Sequence, residues 1–339
     1  MKVIIDVMSG DNAPVELIKG AAMAKEKLGV DIVAVGDEAV INATAKECGI
    51  NIAGIEIVHA EQVITMEDDA VSVVKTKNSS SMAIGLQMLS KGEGDAFVSA
   101  GNTGALLAGA SLIVRRIKGI RRAAIGSVLP LTNPVMLIDC GANIEVDEKT
   151  LEQFAVMGSA YMEKIYALDS ARVGLLNNGA ESTKGTQLYK SAHELLKSSK
   201  HINFVGNIEA KEVPFDVCDV IVCDGFTGNV LLKSIEGMGK FFMKTLKNVL
   251  LGSVITKIAA LPLMSKVKGL KKRFDASEHG GAPLLGIAKP VFKAHGSSDA
   301  RAVMNAVRQA KSFVETGVIN DIALRAESVK GSAAETAQE

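Results

Sequence analysis

The chain has 339 residues, 47% of them apolar and 22% charged, with 38 Lys plus Arg balanced by 38 Asp plus Glu. That length buries a large core in one domain or two, and the charge balance excludes a global field for nucleic acid or an acidic partner. Met1–Met8 is broken by Asp6 and too short for an export signal, and Cys48, Cys140, Cys218 and Cys223 show neither a CxxC pair nor a zinc spacing, so a cytoplasmic protein is expected.

In chain order, apolar runs predict strands over Val3–Asp6, Asp31–Gly36, Ile55–His59, Ala96–Gly101, Val135–Asp139, Arg172–Asn177, Asn203–Gly206 and Val220–Asp224. Several are near-continuous in Val, Ile and Leu, as parallel strands covered on both faces require. Helical segments alternate with them, among them Val15–Leu28, Ser80–Ser90 and Leu151–Tyr166. The alternation predicts a three-layer α/β/α sandwich on a mostly parallel sheet, forming one catalytic domain over 1–330 with a flexible tail over 331–339.

Polar residues gather where the predicted strands end: Asp6, Asn102, Asp139, Asn143, Asn177, Asn207, Asp224 and Asn229. Any one of them alone reads as a turn residue, but together they predict a polar, mostly uncharged cleft at the carboxyl ends of the strands. Three glycine-rich turns lead into helical segments there: Ser99–Gly104, Asp224–Asn229 and His295–Ser298. A helix N-terminus behind such a turn offers unpaired N–H groups and a favourable dipole to an anion. Each turn alone also reads as a simple cap, with Ser297 or Ser298 adequate for the third.

The GxGxxG, GxxxxGK[ST] and GxSxG signatures are missing, which argues against a dinucleotide, a P-loop nucleotide or a serine nucleophile. Attack by a bound anion on an activated acyl group fits better. Lys184, in the glycine-bounded loop Gly179–Gly185, and Lys233, one helical turn beyond Asn229, offer charge for that anion. Lys75 and Lys77 either hold a phosphate or merely precede a cap. The segment Lys244–Arg273 has eight cations and no acidic residue, and Pro262 separates its two apolar stripes, which predicts a protruding amphipathic helical hairpin over about 244–273. Leu250, Leu251, Val254, Ile255, Ile258 and Leu261 would meet a membrane surface, or else an acidic partner, the chain's own core or a second copy. A smaller basic cluster, Arg115, Arg116, Lys118, Arg121 and Arg122, suits an acidic carrier.

Seven ordered motifs resemble the bacterial acyl-carrier-protein:phosphate acyltransferases known as PlsX. They are Met8–Pro14, Ser99–Ala105, Asp139–Asn143, Gly174–Asn177, Val222–Val230, Gly280–Gly286 and Ala294–Ser298. Ser9 and His279 depart from the family's usual Gly and Tyr. The resemblance implies transfer of a fatty acyl group from acyl carrier protein to inorganic phosphate, giving acyl phosphate for phospholipid synthesis. It also implies a phosphotransacetylase- and isocitrate-dehydrogenase-like fold, a homodimer and peripheral association with the inner face of the membrane, without cofactor, metal or nucleic acid.

For that reaction, Lys184, Lys233 and the turn Gly225, Thr227, Gly228 and Asn229 are expected at phosphate. Asn102, Asn143 and the Gly101–Gly104 turn, with Thr103, are expected at the acyl carbonyl. His295 either protonates the leaving thiolate or only hydrogen-bonds. Asp6, Asp11, Asn177 and Asp224 are expected to line the substrate site, Asp11 and Asp224 orienting Lys or Asn partners rather than acting as bases.

Overall fold

The computed structural model describes residues 1–335 apart from 130, 132, 254–255, 258–259, 264–265, 268 and 271–279. Its frame is one sheet of eleven strands in the order β3-β2-β1-β4-β11-β10-β5-β6-β9-β7-β8. The strands are β1 Lys2–Asp6, β2 Asp31–Gly36, β3 Glu56–His59, β4 Ala96–Ser99, β5 Ala124–Leu129, β6 Val135–Ile138, β7 Arg172–Asn177, β8 Asn203–Glu209, β9 Val220–Val222, β10 Gly281–Leu285 and β11 Val291–Ala294. The four residues of β4 and the four of β6 are all buried, the two-sided covering that their unbroken apolar runs predict.

Every predicted strand is present, and three more appear that the apolar runs did not show. These are β5, β10 and β11, which make the antiparallel pairs in the middle of the sheet. β5 is interrupted by Gly126 and Ser127, β10 contains Pro283, and β11 is four residues long. Proline and short length both demote a segment in a pattern reading, and here neighbours on either side override them.

The ladders divide the sheet. β3, β2, β1, β4 and β11 are parallel to one another, and β6, β9, β7 and β8 form a second parallel set. β10 is antiparallel to β11 and β5, and β5 is antiparallel to β6. The two sets therefore run in opposite directions, and their carboxyl ends lie on opposite edges of the sheet.

Helices cover both faces: α1 Val15–Leu28, α2 Glu38–Glu47, α3 Ser81–Lys91, α4 Thr103–Gly109, α5 Glu148–Tyr166, α6 Gln187–Ser198, α7 Gly225–Leu251, α8 Ala300–Glu315 and α9 Val318–Glu335. One buried cluster joins α1, α5 and α8 to one face of the sheet through Ile18, Phe154 and Val303, and another packs α3 and α4 on the other face through Leu86 and Leu106. Phe97, Phe154 and Phe292 are fully buried, each contributing about 1.5–3 kcal/mol by leaving water. α9 continues to Glu335, five residues into the expected tail.

α7 stands apart. Of its 27 residues only Gly225 and Gly228 are buried, while Phe226, Val230, Met238, Phe241, Phe242 and Val249 are exposed. The first arm of the expected hairpin, from Lys244, is the last part of this helix. Leu250 and Leu251 are half-buried. Val254, Ile255 and Ile258 lie outside the described residues. Leu261 opens a short 3-10 turn, Leu261–Leu263. Among the described residues no helix is long and apolar enough to cross a membrane.

Candidate active site

The polar strand-end residues do not form a single cleft. They fall into two groups, one at the ends of β1, β4 and β11 and one at the ends of β6, β9 and β7.

In the first group Asp6 is fully buried at the end of β1. It accepts hydrogen bonds from the Ser99 hydroxyl at 2.8 Å and the Met8 N–H at 3.2 Å. The chain then turns at Gly10, whose φ of 121° suits glycine and whose Cα lies so near that a Cβ would stand 3.1 Å from the Gly296 carbonyl. That approach brings the loops after β1 and β11 together. The Asp11 N–H donates to Gly296 O at 2.8 Å, and the Asn12 amide donates to Ser297 O and Ser298 O. Lys293 and His295, two residues apart at the end of β11, project to the same side. The Lys293 ammonium donates to Ala100 O at 3.1 Å and to Ala294 O. Ser9, 1% exposed, has a hydroxyl with no partner among the described residues and packs against Gly101, the residue after Ala100.

The protonation states follow from these contacts. Burial pulls the Lys293 ammonium down to about 8, and Lys233 adds to the shift, while Asp11 and Asp6 oppose it. Burial also lowers the His295 pKa, again helped by Lys233. His295 Nδ1 accepts the Ser297 N–H at 3.2 Å and lies 2.9 Å from the Ser297 hydroxyl. With Nδ1 occupied as an acceptor, the neutral ring has its proton on Nε2. His295 therefore presents a neutral N–H donor, suited to a developing oxyanion rather than to giving up a proton.

Lys233 arrives from the other half of the molecule. It lies eight residues into α7, ~12 Å along the axis at 1.5 Å per residue, and its charge is felt at Lys293, His295 and Cys140. Its ammonium pairs with Glu236 at 3.0 Å. α7 thus reaches from the second group of strand ends to the first.

The second group is a closed knot. Asp139, fully buried after β6, accepts from the N–H groups of Ile125, Ala142 and Asn143 and from the Asn143 amide. Its carboxyl is raised above the usual range because burial outweighs these bonds. Asn143 gives its second amide hydrogen to Ala123 O at 2.8 Å, so it has no donor left for an acyl carbonyl, contrary to the role expected of it. Gly225 and Gly228 press α7 onto this knot. A Cβ at Gly225 would stand 2.8 Å from Asn143 O, and one at Gly228 only 1.9 Å from Asp139 O.

The expected phosphate cradle at Asp224–Asn229 is corrected for the same reason. The Asp224 carboxylate caps α7, accepting the Thr227 N–H, the Thr227 hydroxyl and the Tyr189 hydroxyl, and the Gly225 N–H goes to Asn143 O. A helix start already occupied by a carboxylate repels a second anion. Asn229 is exposed and stands against Gly141. The other two turns are also self-capped, by Asn102 before α4 and by Asp299, rather than Ser297 or Ser298, before α8. Asn102 spends its amide hydrogens on Thr65 O, Met66 O and Asp68 O, which fixes the loop over Gly296 but removes it as a carbonyl donor. Thr103 is exposed at the first position of α4.

Lys184 is exposed in the loop after β7 and does not figure among the charges that act on Lys293 or His295. Asn177 holds that loop through Lys184 O, and Asn207 holds it through Glu181 O. Lys77 pairs with Asp68 at 2.6 Å, and Ser80 caps α3, which leaves the cap reading of that segment. His279 lies outside the described residues. Among the described residues no three His, Cys, Asp or Glu side chains gather as for a metal.

The model of a family described as "Fatty acid synthesis protein" matches residues 1–321. A phosphate acyltransferase of Thermoanaerobacter pseudethanolicus is 46% identical over 97% of this chain and 98% of its own length. Another, from Thermoanaerobacterium thermosaccharolyticum, is 45% identical over 95% and 96%. The chain belongs to the phosphate acyltransferase family. A solved phosphotransacetylase from Streptococcus pyogenes covers 96% of this chain with 94% of its own at a TM-score of 0.59 and 18% identity, a likeness of fold.

For this phosphate acyltransferase family member, sequence reasoning missed Lys293. Its signal was a lysine and a histidine at strand period, Lys293 and His295, at the end of a four-residue run after Pro290. The run was too short to be read as a strand, so the shared side of the two residues stayed hidden.

Proposed function

We propose that this enzyme moves a fatty acyl group from acyl carrier protein to inorganic phosphate, releasing the carrier thiol and giving acyl phosphate for phospholipid synthesis. The observation that supports this most is the convergence of Lys233, Lys293 and the His295 Nε2–H at the ends of β4 and β11. The charge of Lys293, with that of Lys233, which phosphate would draw from its pair with Glu236, suits a phosphate anion, and a neutral N–H donor suits the oxyanion that forms when phosphate oxygen attacks a thioester carbonyl. A thioester is already activated, so positioning and charge stabilisation are the main demands. Asp6 and Asp11 hold Lys293 in place by charge, and the Gly10–Asn12 and Gly296–Ser298 loops wall the site.

The same reading places the carrier, an acidic protein, against the exposed Arg115, Arg116, Lys118 and Arg122; Arg121 is paired with Asp147. It assigns the exposed Met238, Phe241, Phe242 and Val249 of α7, with Lys240, Lys244 and Lys247, to a second copy of the chain or to the membrane surface. The test is an incubation of palmitoyl-carrier protein with phosphate in EDTA. Acyl phosphate and free carrier thiol are expected, whereas turnover with acyl-coenzyme A alone, or none without metal, overturns the reading.

A further inference from the structure

We propose that Lys293 is the proton donor to the departing carrier thiolate, and the proton acceptor from the thiol in reverse. The inference rests on the acyl-transfer reading above and assigns it a second reacting group. Lys293 Nζ stands at the junction of the loops after β1, β4 and β11, bonded to Ala100 O and Ala294 O and able to make one further bond as an ammonium. His295 beside it is fixed as a neutral donor by the Ser297 N–H, which leaves Lys293 as the group of the pair that can release a proton.

The charged groups acting on Lys293 come from each element around it: Asp6 at the end of β1, Asp11 in the following loop and Lys233 on α7. Their balance with burial leaves the ammonium at about 8. An ordinary thiol has a pKa near ~8.5, so the proton passes between two groups of nearly equal affinity, the condition under which acid–base catalysis is most effective.

The step balances without an outside reagent. An oxygen of hydrogen phosphate forms a bond to the thioester carbon, and the His295 N–H takes the oxyanion. Collapse breaks the C–S bond, and the thiolate receives a proton from the Lys293 ammonium. The resulting amine takes up the proton that phosphate gives up, and the products are acyl phosphate and free thiol.

The experiment compares wild type, Lys293→Met and Lys293→Arg on two thioesters, an alkyl thioester of the carrier and an aryl thioester whose thiol is far more acidic. A general acid matters less to a good leaving group. Both variants are expected to lose about 10²–10⁴-fold in kcat on the alkyl ester and to recover most of it on the aryl ester, with the phosphate KM of Lys293→Arg near wild type. Wild-type kcat on the alkyl ester should fall above about pH 8, and that limb should be missing in Lys293→Arg. A defect confined to phosphate KM, or equal on both esters, overturns the proton role and makes Lys293 a phosphate ligand. If Lys293→Met fails to fold by circular dichroism, the Arg variant's ester ratio and pH profile decide. If wild type makes no acyl phosphate from either ester, the acyl-transfer reading itself fails, and this proposal with it.

Discussion

Asp6 and Asp139 occupy matching places in the two halves of the sheet, each fully buried at the end of a strand that leads its parallel set. Asp139 accepts four hydrogen bonds from neutral groups, all of which close the β6–α7 junction. Asp6 accepts two, from Ser99 and Met8, and acts by charge on a lysine that shares its loop junction with a histidine and with a serine whose hydroxyl has no partner among the described residues. Burial and position are the same, so neither separates structure from function. What separates them is whether the neighbours' hydrogen-bonding capacity is used up. At Asp139 the partners are spent on the fold, and at Asp6 a cation, an imidazole N–H and a hydroxyl keep capacity for a ligand.

The comparison can be broken by substitution at each end. Lys233→Ala should have a large effect, raising phosphate KM and lowering kcat/KM by roughly tenfold to a thousandfold, because it removes a charge from the first group. Steady-state kinetics at varied phosphate checks it, and an unchanged phosphate KM would detach α7 from the anion site. His295→Gln should lower kcat while leaving phosphate KM near wild type. In the wild type, the lowered His295 pKa keeps the ring neutral below its ordinary value near 6.5, so the activity should show no acidic limb there. An inflection at the ordinary histidine pKa that vanishes in His295→Gln would contradict the fixed neutral donor.

Asp139→Asn should act on stability instead. It turns an acceptor into a donor facing the Asn143 N–H and amide, and each group left unpaired costs about 1–3 kcal/mol. Denaturant unfolding should shift accordingly, with kcat/KM of the folded protein little changed. Loss of activity at full stability would mean that the knot takes part in the chemistry. The smallest effect is expected at Lys184→Ala. Surface substitutions stay within about 0.5 kcal/mol, roughly twofold in a binding constant, and a larger rise in phosphate KM would return the anion to the β7 edge.

Much of the fold was legible from residues. The bounds of β2, β7 and α1 agree with the apolar runs and helical periodicity over Asp31–Gly36, Arg172–Asn177 and Val15–Leu28. The central strands were not, because Pro283, Gly126 and the brevity of β11 conceal a pairing that only distant neighbours impose. The site was legible as a set of loops but misread in chemistry. Asn102, Asp224 and Asp299 each precede a helix as a cap should, and that signature already stated that the helix starts would be occupied. Lys293 offered no local cue, since its importance comes from Asp6, Asp11 and Lys233, far away in the chain. Gly225 and Gly228 suggested an anion cradle, whereas their Cα atoms are needed for close contact with Asp139 and Asn143.

The central claim is that the reacting anion sits at the ends of β4 and β11 and not at the start of α7. A crystal structure of the protein grown or soaked with inorganic phosphate at millimolar concentration and free of sulfate tests it most directly. The account predicts phosphate oxygens within hydrogen-bond distance of the Lys233 ammonium, beside the loops Gly10–Asn12 and Gly296–Ser298, with the His295 Nε2–H and the third Lys293 N–H left free for the thioester. Phosphate bound instead to the N–H groups of Phe226 and Thr227, with the Asp224 side chain displaced, would contradict it.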